Sequence, residues 1–323
     1  MLPKDTFDTH THIFDPDLGP YAAGRAYTPE DAPLKKLIAF NQSLSTDPLD
    51  NTLVLVQPSP YENDCTVIIQ GLQKLKDQNV NAFGIAVLDL DSTTDAQLKE
   101  LHALGMRGIR LNFQADGKEL STEKLVAALR RTADRIRYLP GWMIQLFVPG
   151  WSWDSELIKS WKLMSTNMAN IKIVLHDTIT GLPVKIIADH LGGMRGASKL
   201  PSDLQSTPAS QPGFESLLSL AKQSHVVVKV SGLYRMSSDV PSTYSDLQPI
   251  LETFAKEIPG QLIWGSDWPH TGEGGSRIER KLEVKEPFRI VDDTAILAKL
   301  HNWMGSHVYR KMLVDNPRRL YQN

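Results

Sequence analysis

The stretch "FDTHTHIFD" at residues 7–15 places His10 and His12 two positions apart, with Asp8 and Asp15 beside them. In a β-strand, residues i and i+2 point to the same face. Two imidazoles side by side can bind a metal, polarise a carbonyl group, or pack against other side chains. The pair alone leaves these three roles open.

Further polar side chains follow later apolar runs. Asp189 and His190 end the run in "IIADHLGG", and Asp267 and His270 end the run in "WGSDWPH". The other polar residues in or just after such runs are Ser59, Arg110, Gln145, Ser231, Tyr234 and Arg235. Each has a structural explanation alone, because a histidine can be satisfied in a core, an aspartate can cap a turn and an arginine can pair inside the fold. Their recurrence at the ends of successive runs favours chemistry.

The apolar runs predict the fold that would hold these residues. Eight runs rich in Val, Ile and Leu read as strands buried on both faces, at 6–10, 51–57, 81–89, 106–113, 142–148, 184–190, 225–232 and 261–267. Helical patterns lie between them at 64–77, 94–104, 121–137, 213–223 and 245–256. The alternation predicts a (β/α)8 TIM barrel, with residues 1–323 as a single α/β domain. A doubly wound sheet is the competing architecture, but no GxGxxG or GxxxxGK[ST] sequence occurs.

Some segments exceed a minimal barrel. The connection 149–183 is long and predicts an insertion after the fifth strand, whereas 197–213 reads as a surface loop, with a lid as one hypothesis. "GEGGS" at 272–276 predicts a flexible loop, and the C-terminal "VYRKMLVDNPRRLYQN" predicts a helix that Pro317 interrupts. In such barrels catalytic groups lie at the C-terminal ends of the strands, so the polar residues should meet on one rim.

Composition narrows the class of protein. The net charge of −2 over 323 residues favours neither nucleic acid nor an anionic membrane as a partner. Cys65 is the only cysteine, so a disulfide within the chain is excluded, and we expect an inert thiol. The sequence shows no apolar signal region and no run near the roughly 20 residues that span a bilayer. We therefore expect a cytoplasmic enzyme for a small molecule, and the sequence leaves a homo-oligomer open.

Several motifs together resemble a known family. "DTHTHIF", "ADHLGG" and "WGSDWPH" resemble the amidohydrolase superfamily in its amidohydrolase-2 branch. "RAYTPEDAP", "LVQPS" and "RGIRLNF" resemble, within that branch, the 2-pyrone-4,6-dicarboxylate lactonases and related sugar-lactone hydrolases. The matches run from residue 7 to residue 270. In this order they are specific for the branch and less specific for the substrate.

The resemblance implies roles for individual residues. Asp267 matches a general base that activates water, and His10, His12 and His190 match histidines around the lactone carbonyl. Tyr27 and Ser59 match residues that contact the substrate, and Arg110 and Arg235 match arginines that bind substrate carboxylates. The family has a further arginine where this chain offers Gln114 and Asp116, and Phe147 stands at the position of a family tyrosine. These departures predict that this chain has one fewer side chain for binding a substrate carboxylate than the family has.

The residue types suit lactone hydrolysis without the family name. An aspartate with a reference pKa of about 3.9 is ionised at pH 7 and can accept a proton from water. Imidazoles, at least one of them protonated, can stabilise the oxyanion that forms, and arginine forks predict a carboxylate on the substrate. We expect a lactonase for a pyrone carboxylate, a muconolactone-type acid or a sugar lactone. Gln145, Tyr234 and His270 are further candidates for substrate contacts.

The same donors raise the question of a metal. His10, His12, His190 and Asp267 are a plausible set for a single Zn²⁺ with an open position. The fifth strand, "WMIQLFV", contains no lysine that could bridge two metals. We expect no required cofactor. One Zn²⁺ is the alternative, and it would favour a mononuclear zinc decarboxylase of an aromatic or unsaturated acid. A barrel that binds an acidic metabolite without turnover is a third hypothesis, against which the histidine and aspartate set argues.

Overall fold

Eight parallel strands form the centre of the molecule. The structure is a computed structural model and describes residues 2–45, 51–113, 121–154, 175–239, 244–272 and 281–322. The strands are β1 Phe7–Thr11, β2 Thr52–Val56, β3 Ala82–Ala86, β4 Met106–Asn112, β5 Met143–Phe147, β6 Ile186–Ala188, β7 Val226–Val230 and β8 Leu262–Trp264. All eight predicted strands are confirmed, and their observed ends lie within three residues of the predicted ones.

The strands curl into a nearly closed barrel. Each strand pairs in parallel with the next along the chain, from β1 to β8. The last strand then returns to the first, where the Asp267 amide donates to the His10 carbonyl at 2.9 Å and the His12 amide donates to the Trp268 carbonyl at 2.9 Å. A Cβ at Gly265 would lie 2.5 Å from the Cβ of His10, so only glycine allows this approach. The predicted TIM barrel is confirmed, and its closure places His10 beside Asp267.

Helices surround the barrel. They are α1 Leu34–Leu44, α2 Thr66–Asp77, α3 Asp95–Ala103, α4 Thr122–Ile136, α5 Leu175–Thr180, α6 Phe214–Lys222, α7 Leu233–Met236, α8 Gln248–Glu257, α9 Asp293–Arg310 and α10 Asn316–Tyr321. In α4 the buried Leu125, Leu129 and Ala133 recur every four residues, which is the spacing that covers one face of a helix. The five predicted helices between the strands are confirmed.

The C-terminal segment differs from its prediction. Helix α9 continues through a π-helical turn at Lys311–Asp315 into α10. Pro317 lies in the first turn of α10, directly after the π-helical turn, and a proline is tolerated in a first turn. The predicted interruption at Pro317 is therefore wrong.

The longer connections are described in part. After β5 the chain forms a 3-10 turn at Gly150–Trp153, and α5 precedes β6, whereas 155–174 lies outside the described residues. Short 3-10 turns at Ala197–Lys199 and Pro208–Ser210 lie within the predicted surface loop, for which the lid stays a hypothesis. Gln114, Asp116 and all of "GEGGS" except its first glycine also lie outside the described residues. The assignment of the whole chain to a single domain stays a prediction.

Candidate active site

Four predicted catalytic residues meet at the C-terminal rim of the barrel. The ring of His10 lies 4.9 Å, centroid to centroid, from the rings of both His12 and His190. Oδ1 of Asp267 lies 3.6 Å from Nε2 of His10 and 3.6 Å from Nε2 of His12. All four residues are buried. The structure thus brings together side chains that are up to 257 positions apart in the sequence.

The backbone around the cluster is unusual for residues with side chains. His190 and Asp267 have φ angles of 51° and 63°, in the left-handed region that such residues rarely adopt. Gly232 is also left-handed, and a Cβ there would lie 2.6 Å from Nδ1 of His190. Backbone strain of this kind concentrates at functional sites. The strained backbone at His190 and Asp267 therefore supports a functional role for these two residues.

Asp267 is held as an ionised carboxylate. Its Oδ2 accepts hydrogen bonds from Nε of Arg235 at 2.7 Å and from the hydroxyl of Tyr234 at 2.7 Å. Burial alone would raise the pKa of Asp267, but the Arg235 guanidinium outweighs it and holds the pKa well below its ordinary value. Oδ1 has no hydrogen-bond partner in the part of the chain that the structure describes. This oxygen faces the histidines and is available to accept a proton.

The three histidines are neutral near pH 7. Burial lowers the pKa of His10 and of His12, and it lowers the pKa of His190 to about 4. The expectation that one imidazole is protonated at neutral pH is therefore wrong, because a buried imidazolium would lose its hydration. Nδ1 of His12 lies 2.7 Å from the carbonyl oxygen of Val56, which can only accept. The His12 proton is thus on Nδ1, and its Nε2 lone pair faces Asp267.

A buried network that the sequence reasoning missed lies behind His10. Lys229 is fully buried, and its Nζ lies 3.2 Å from Oδ1 of Asp189 and donates to Oε1 of Gln145 at 2.7 Å. Gln145 in turn donates from Nε2 to Oδ2 of Asp189 at 2.8 Å. The signal in the sequence was a lysine in the middle of the apolar run "VVVKV". Gln145 is engaged inside the barrel, and its predicted contact with substrate stays a prediction.

Arg235 and Arg110 differ in how many of their donor nitrogens form hydrogen bonds. Arg235 uses Nε for Asp267 and donates its other nitrogens to Thr271 Oγ1 at 2.6 Å and to the carbonyl of Gly272 at 3.3 Å. Arg110 donates to the carbonyl of Gln57 at 3.0 Å, but its buried Nε has no hydrogen-bond partner among the residues described. Arg110 is therefore the arginine with an unused donor.

The remaining predicted site residues lie around this centre. Tyr27 is buried and close enough to interact electrostatically with both Arg110 and Arg235. Ser59 begins the 3-10 turn that follows β2, at the same end of the barrel. His270 is buried, with Nε2 3.2 Å from Oδ2 of Asp293, and its ring packs edge-on against Tyr234. Their roles toward a substrate stay predictions.

Cys65 is not part of the site chemistry. Its thiol is buried and donates to Oε1 of Gln57 at 2.9 Å. Burial raises its pKa to about 12, so almost no thiolate is present near neutral pH. The inert thiol that the sequence predicts agrees with these contacts.

Among the described residues, two groups of side chains place metal-ligand atoms close together. One consists of His10, His12 and Asp267, and the other of His10, Asp189 and His190; within each group the donor atoms lie within 4.8 Å of one another. The donor types and spacing suit a single divalent cation. The surrounding charges do not, because Lys229, Arg110 and Arg235 already place three cations against the carboxylates of Asp189 and Asp267.

Comparison with known proteins places this geometry in a family. The model of the amidohydrolase family matches residues 7–322. The chain belongs to the amidohydrolase family. Over 99% of its length it is 30% identical to a 4-sulfomuconolactone hydrolase of Rhizobium radiobacter and 27% identical to a 2-pyrone-4,6-dicarboxylate hydrolase of Comamonas testosteroni, and it covers 91% of each. The predicted family and the assignment as a hydrolytic enzyme are confirmed.

A solved structure supports the fold. The chain superposes, over 99% of its length and 100% of the other chain, on a probable 2-pyrone-4,6-dicarboxylic acid hydrolase from Acinetobacter baumannii with a TM-score of 0.68 and 24% identity. At this identity the likeness concerns the barrel alone. No helix in the described part of this amidohydrolase is long and apolar enough to cross a membrane.

Proposed function

We propose that this amidohydrolase opens the ring of a small lactone that carries a carboxylate or a comparable anionic group. The observation that carries the proposal is the position of Asp267 Oδ1, an ionised oxygen 3.6 Å from Nε2 of both His10 and His12. That distance is too long for a direct hydrogen bond, so Asp267 Oδ1 keeps its capacity to accept a hydrogen bond from a reactant. Relatives that match nearly the whole chain are named lactone hydrolases, which supports the same reaction.

The reaction assigns one step to each group. Asp267 accepts a proton from water as the water oxygen attacks the lactone carbonyl. A neutral histidine whose N–H faces the site, His10 or His190, donates to the carbonyl oxygen as negative charge develops there, and the nearby cations stabilise that charge. The acyl–oxygen bond of the ring then breaks, and the ring oxygen takes the proton that Asp267 accepted, which returns Asp267 to its ionised form. The product is an open hydroxy acid, whose new carboxyl group releases one proton to solvent near pH 7.

The charge of the site supports an anionic substrate. Three cations and two carboxylates lie within one buried cluster, and Arg110 has an unused Nε. A guanidinium binds a carboxylate or another planar or tetrahedral anion through charge-assisted hydrogen bonds. A muconolactone-type acid or a pyrone carboxylate meets this requirement, and we favour these over a neutral sugar lactone.

We propose further that no metal is required. A divalent cation among His10, His12 and Asp267 would add two positive charges to a cluster that already carries more cations than carboxylates. Zinc, if bound there, would supply Lewis-acid polarisation of the carbonyl and a more acidic water. The spacing of the donor atoms keeps the zinc-dependent decarboxylase as the competing function.

The first test is a panel of lactones assayed with a pH indicator. The panel contains muconolactone-type acids, pyrone carboxylates and sugar lactones, and the enzyme is used after chelation and again after adding Zn²⁺. We expect turnover of an anionic lactone by the chelated enzyme. Turnover only with zinc would contradict the metal-free proposal, and silence of both forms, with activity on aromatic or unsaturated acids, would favour the decarboxylase.

Two variants test the residue roles. Asp267→Asn should lower kcat/KM at least 100-fold because the base is lost, whereas Asp95→Asn, at an exposed carboxylate in helix α3 that pairs with Arg135, should lose far less. Arg110→Met should raise KM about 10- to 100-fold for anionic lactones and little for neutral ones. Arg107→Met, at the opposite end of the same strand, is its control. A turnover that survives Asp267→Asn would exclude Asp267 as the base. Turnover in either form of the protein would also exclude a protein that only binds its ligand.

A further inference from the structure

The ammonium group of Lys229 meets more acceptors than it has protons. Nζ lies 2.9 Å from the carbonyl oxygen of Thr9, 2.7 Å from Oε1 of Gln145 and 3.2 Å from Oδ1 of Asp189. It also lies 3.3 Å from Nδ1 of His10. The carbonyl and the amide oxygen each take one proton. The third proton is directed to the side where His10 and Asp189 lie.

This contact limits where His10 can carry its own proton. A lysine ammonium has three donors and no acceptor, so the nitrogen facing it must accept. The alternative partner for a proton on Nδ1 is Oδ1 of Asp189, which lies 3.6 Å away and is beyond hydrogen-bond distance. A neutral imidazole that accepts at Nδ1 carries its proton on Nε2.

Nε2 of His10 is the nitrogen that faces the reaction site. It lies 3.6 Å from Oδ1 of Asp267, and neither atom has a hydrogen-bond partner within the described ranges. A proton on Nε2 makes His10 a donor toward a substrate oxygen. It also removes the lone pair that a metal ion would need, whereas His12, whose proton is on Nδ1, keeps that lone pair.

We propose that Lys229 is a positioning residue that fixes the tautomer of His10, so that His10 donates a hydrogen bond to the lactone carbonyl and does not ligate a metal. The inference rests on the proposed metal-free function and gives it a structural cause. Two groups with metal-ligand spacing are present, yet the lysine behind them holds the shared histidine in the state that cannot coordinate.

The tautomer can be measured directly in the unaltered protein. Long-range ¹H–¹⁵N spectra of enzyme labelled at histidine nitrogens distinguish Nδ1–H from Nε2–H, and the His10 signals are assigned by their loss in His10→Gln. We expect His10 as Nε2–H and His12 as Nδ1–H. A proton on Nδ1 of His10 would overturn the proposal whatever the activity of the enzyme.

A charge-removing variant tests the consequence for metal binding. Lys229→Met keeps most of the side-chain volume and removes the donor that faces Nδ1, so the proton of His10 is no longer held on Nε2. We expect Zn²⁺, measured by competition with a chromophoric chelator, to bind about 10- to 100-fold more tightly than to the wild type. Lys185→Met is the matched control, since this exposed lysine contacts the Ser224 carbonyl at the other end of β6. Equal zinc affinity in wild type, Lys229→Met and Lys185→Met would overturn the proposal.

A double variant and a separate lactone assay distinguish misfolding of Lys229→Met from failure of the proposal. If Lys229→Met does not fold because Asp189 is left unpaired, the double variant Lys229→Met/Asp189→Asn removes both charges and should show the same gain in zinc affinity. The wild-type lactone panel is a separate readout. Inactivity of the wild type on every lactone, with His10 as Nε2–H and tighter zinc binding by the variant, would refute the proposed function and leave the role of Lys229 intact.

Discussion

The ion pair between Arg235 and Asp267 leads to a prediction about pH. The pKa of Asp267 lies well below its ordinary value, and burial lowers the pKa of His190 to about 4. The base therefore stays ionised, and His190 stays neutral, as the pH falls toward 5. For a neutral lactone, kcat/KM should be nearly constant from pH 8 down to about 5, whereas a histidine base with an ordinary pKa of about 6.5 would lose activity within that range.

Arg235→Gln should move the acid limb of this profile upward. Nε of Arg235 lies 2.7 Å from Oδ2 of Asp267. Unit charges about 4 Å apart at an effective dielectric constant of about 20 interact by about 4 kcal/mol, which corresponds to about 3 pKa units. Lys229 and Arg110 remain as nearby cations, so we expect a rise of about 1–3 units in the pKa of Asp267. The variant should then lose activity at a higher pH than the wild type as the pH falls, and it should recover as the pH rises.

The assay uses a neutral lactone, because the predicted contact between Arg235 and a substrate carboxylate would otherwise change kcat/KM as well. Arg289→Gln is the control, because Arg289 lies over the same Tyr234 ring, 5.6 Å from its centroid, and its loss should shift the limb far less. Arg235→Lys should restore part of the low-pH activity. Thermal unfolding of each variant confirms that the fold is retained. An acid limb that stays in place in folded Arg235→Gln would refute the assignment of Asp267 as the base that Arg235 keeps ionised.

Three further predictions concern stability and reactivity. Gly232→Ala should destabilise the fold by about 1–3 kcal/mol in urea unfolding and lower activity, because the new Cβ would crowd His190 at a left-handed backbone; unfolding at the wild-type midpoint would contradict this. Cys65, with a pKa of about 12, should resist iodoacetamide at pH 8 until the protein unfolds, which mass spectrometry can follow. Burial raises the pKa of Asp8 to about 7, so its folded form keeps a proton that the unfolded form loses above about pH 4. Stability of the wild type relative to Asp8→Asn should therefore fall by a few kcal/mol from pH 4 to pH 7 and stay level above it.

The sequence predicted the barrel and the place of its polar residues because both follow from local rules. Runs of buried β-branched residues at regular intervals identify the strands, and the parallel arrangement puts every strand end on one rim. His10, His190 and Asp267 could be placed together by that rule alone. Distances and partners could not, because they depend on the closure of β1 against β8.

The charge states were beyond the reach of the sequence. Whether a histidine is protonated depends on burial and neighbours, and the neighbour that matters for His10 is Lys229, 219 positions away. Pro317 shows the same limit at the level of the backbone, since its effect depends on whether it enters the first turn of a helix or its interior. Spacing identifies the groups that can meet, and the fold decides what their protons do.

The buried charges together predict that the site prefers an anionic ligand. Asp189 compensates Lys229 and Asp267 compensates Arg235, each within 3.2 Å, and Arg110 is left with a backbone carbonyl and an unused Nε. Two carboxylates are thus shared by three buried cations, so an anion beside Arg110 would make the protein more stable. The anionic group of the substrate supplies a counterion for Arg110. The binding energy of this contact helps to hold the lactone carbonyl against Asp267 and His10. We therefore expect an anionic inhibitor to raise the unfolding temperature of the wild type and to have little effect on Arg110→Met, while a neutral lactone of the same shape distinguishes the two proteins weakly. Equal stabilisation of both proteins by the anion would place its binding site elsewhere.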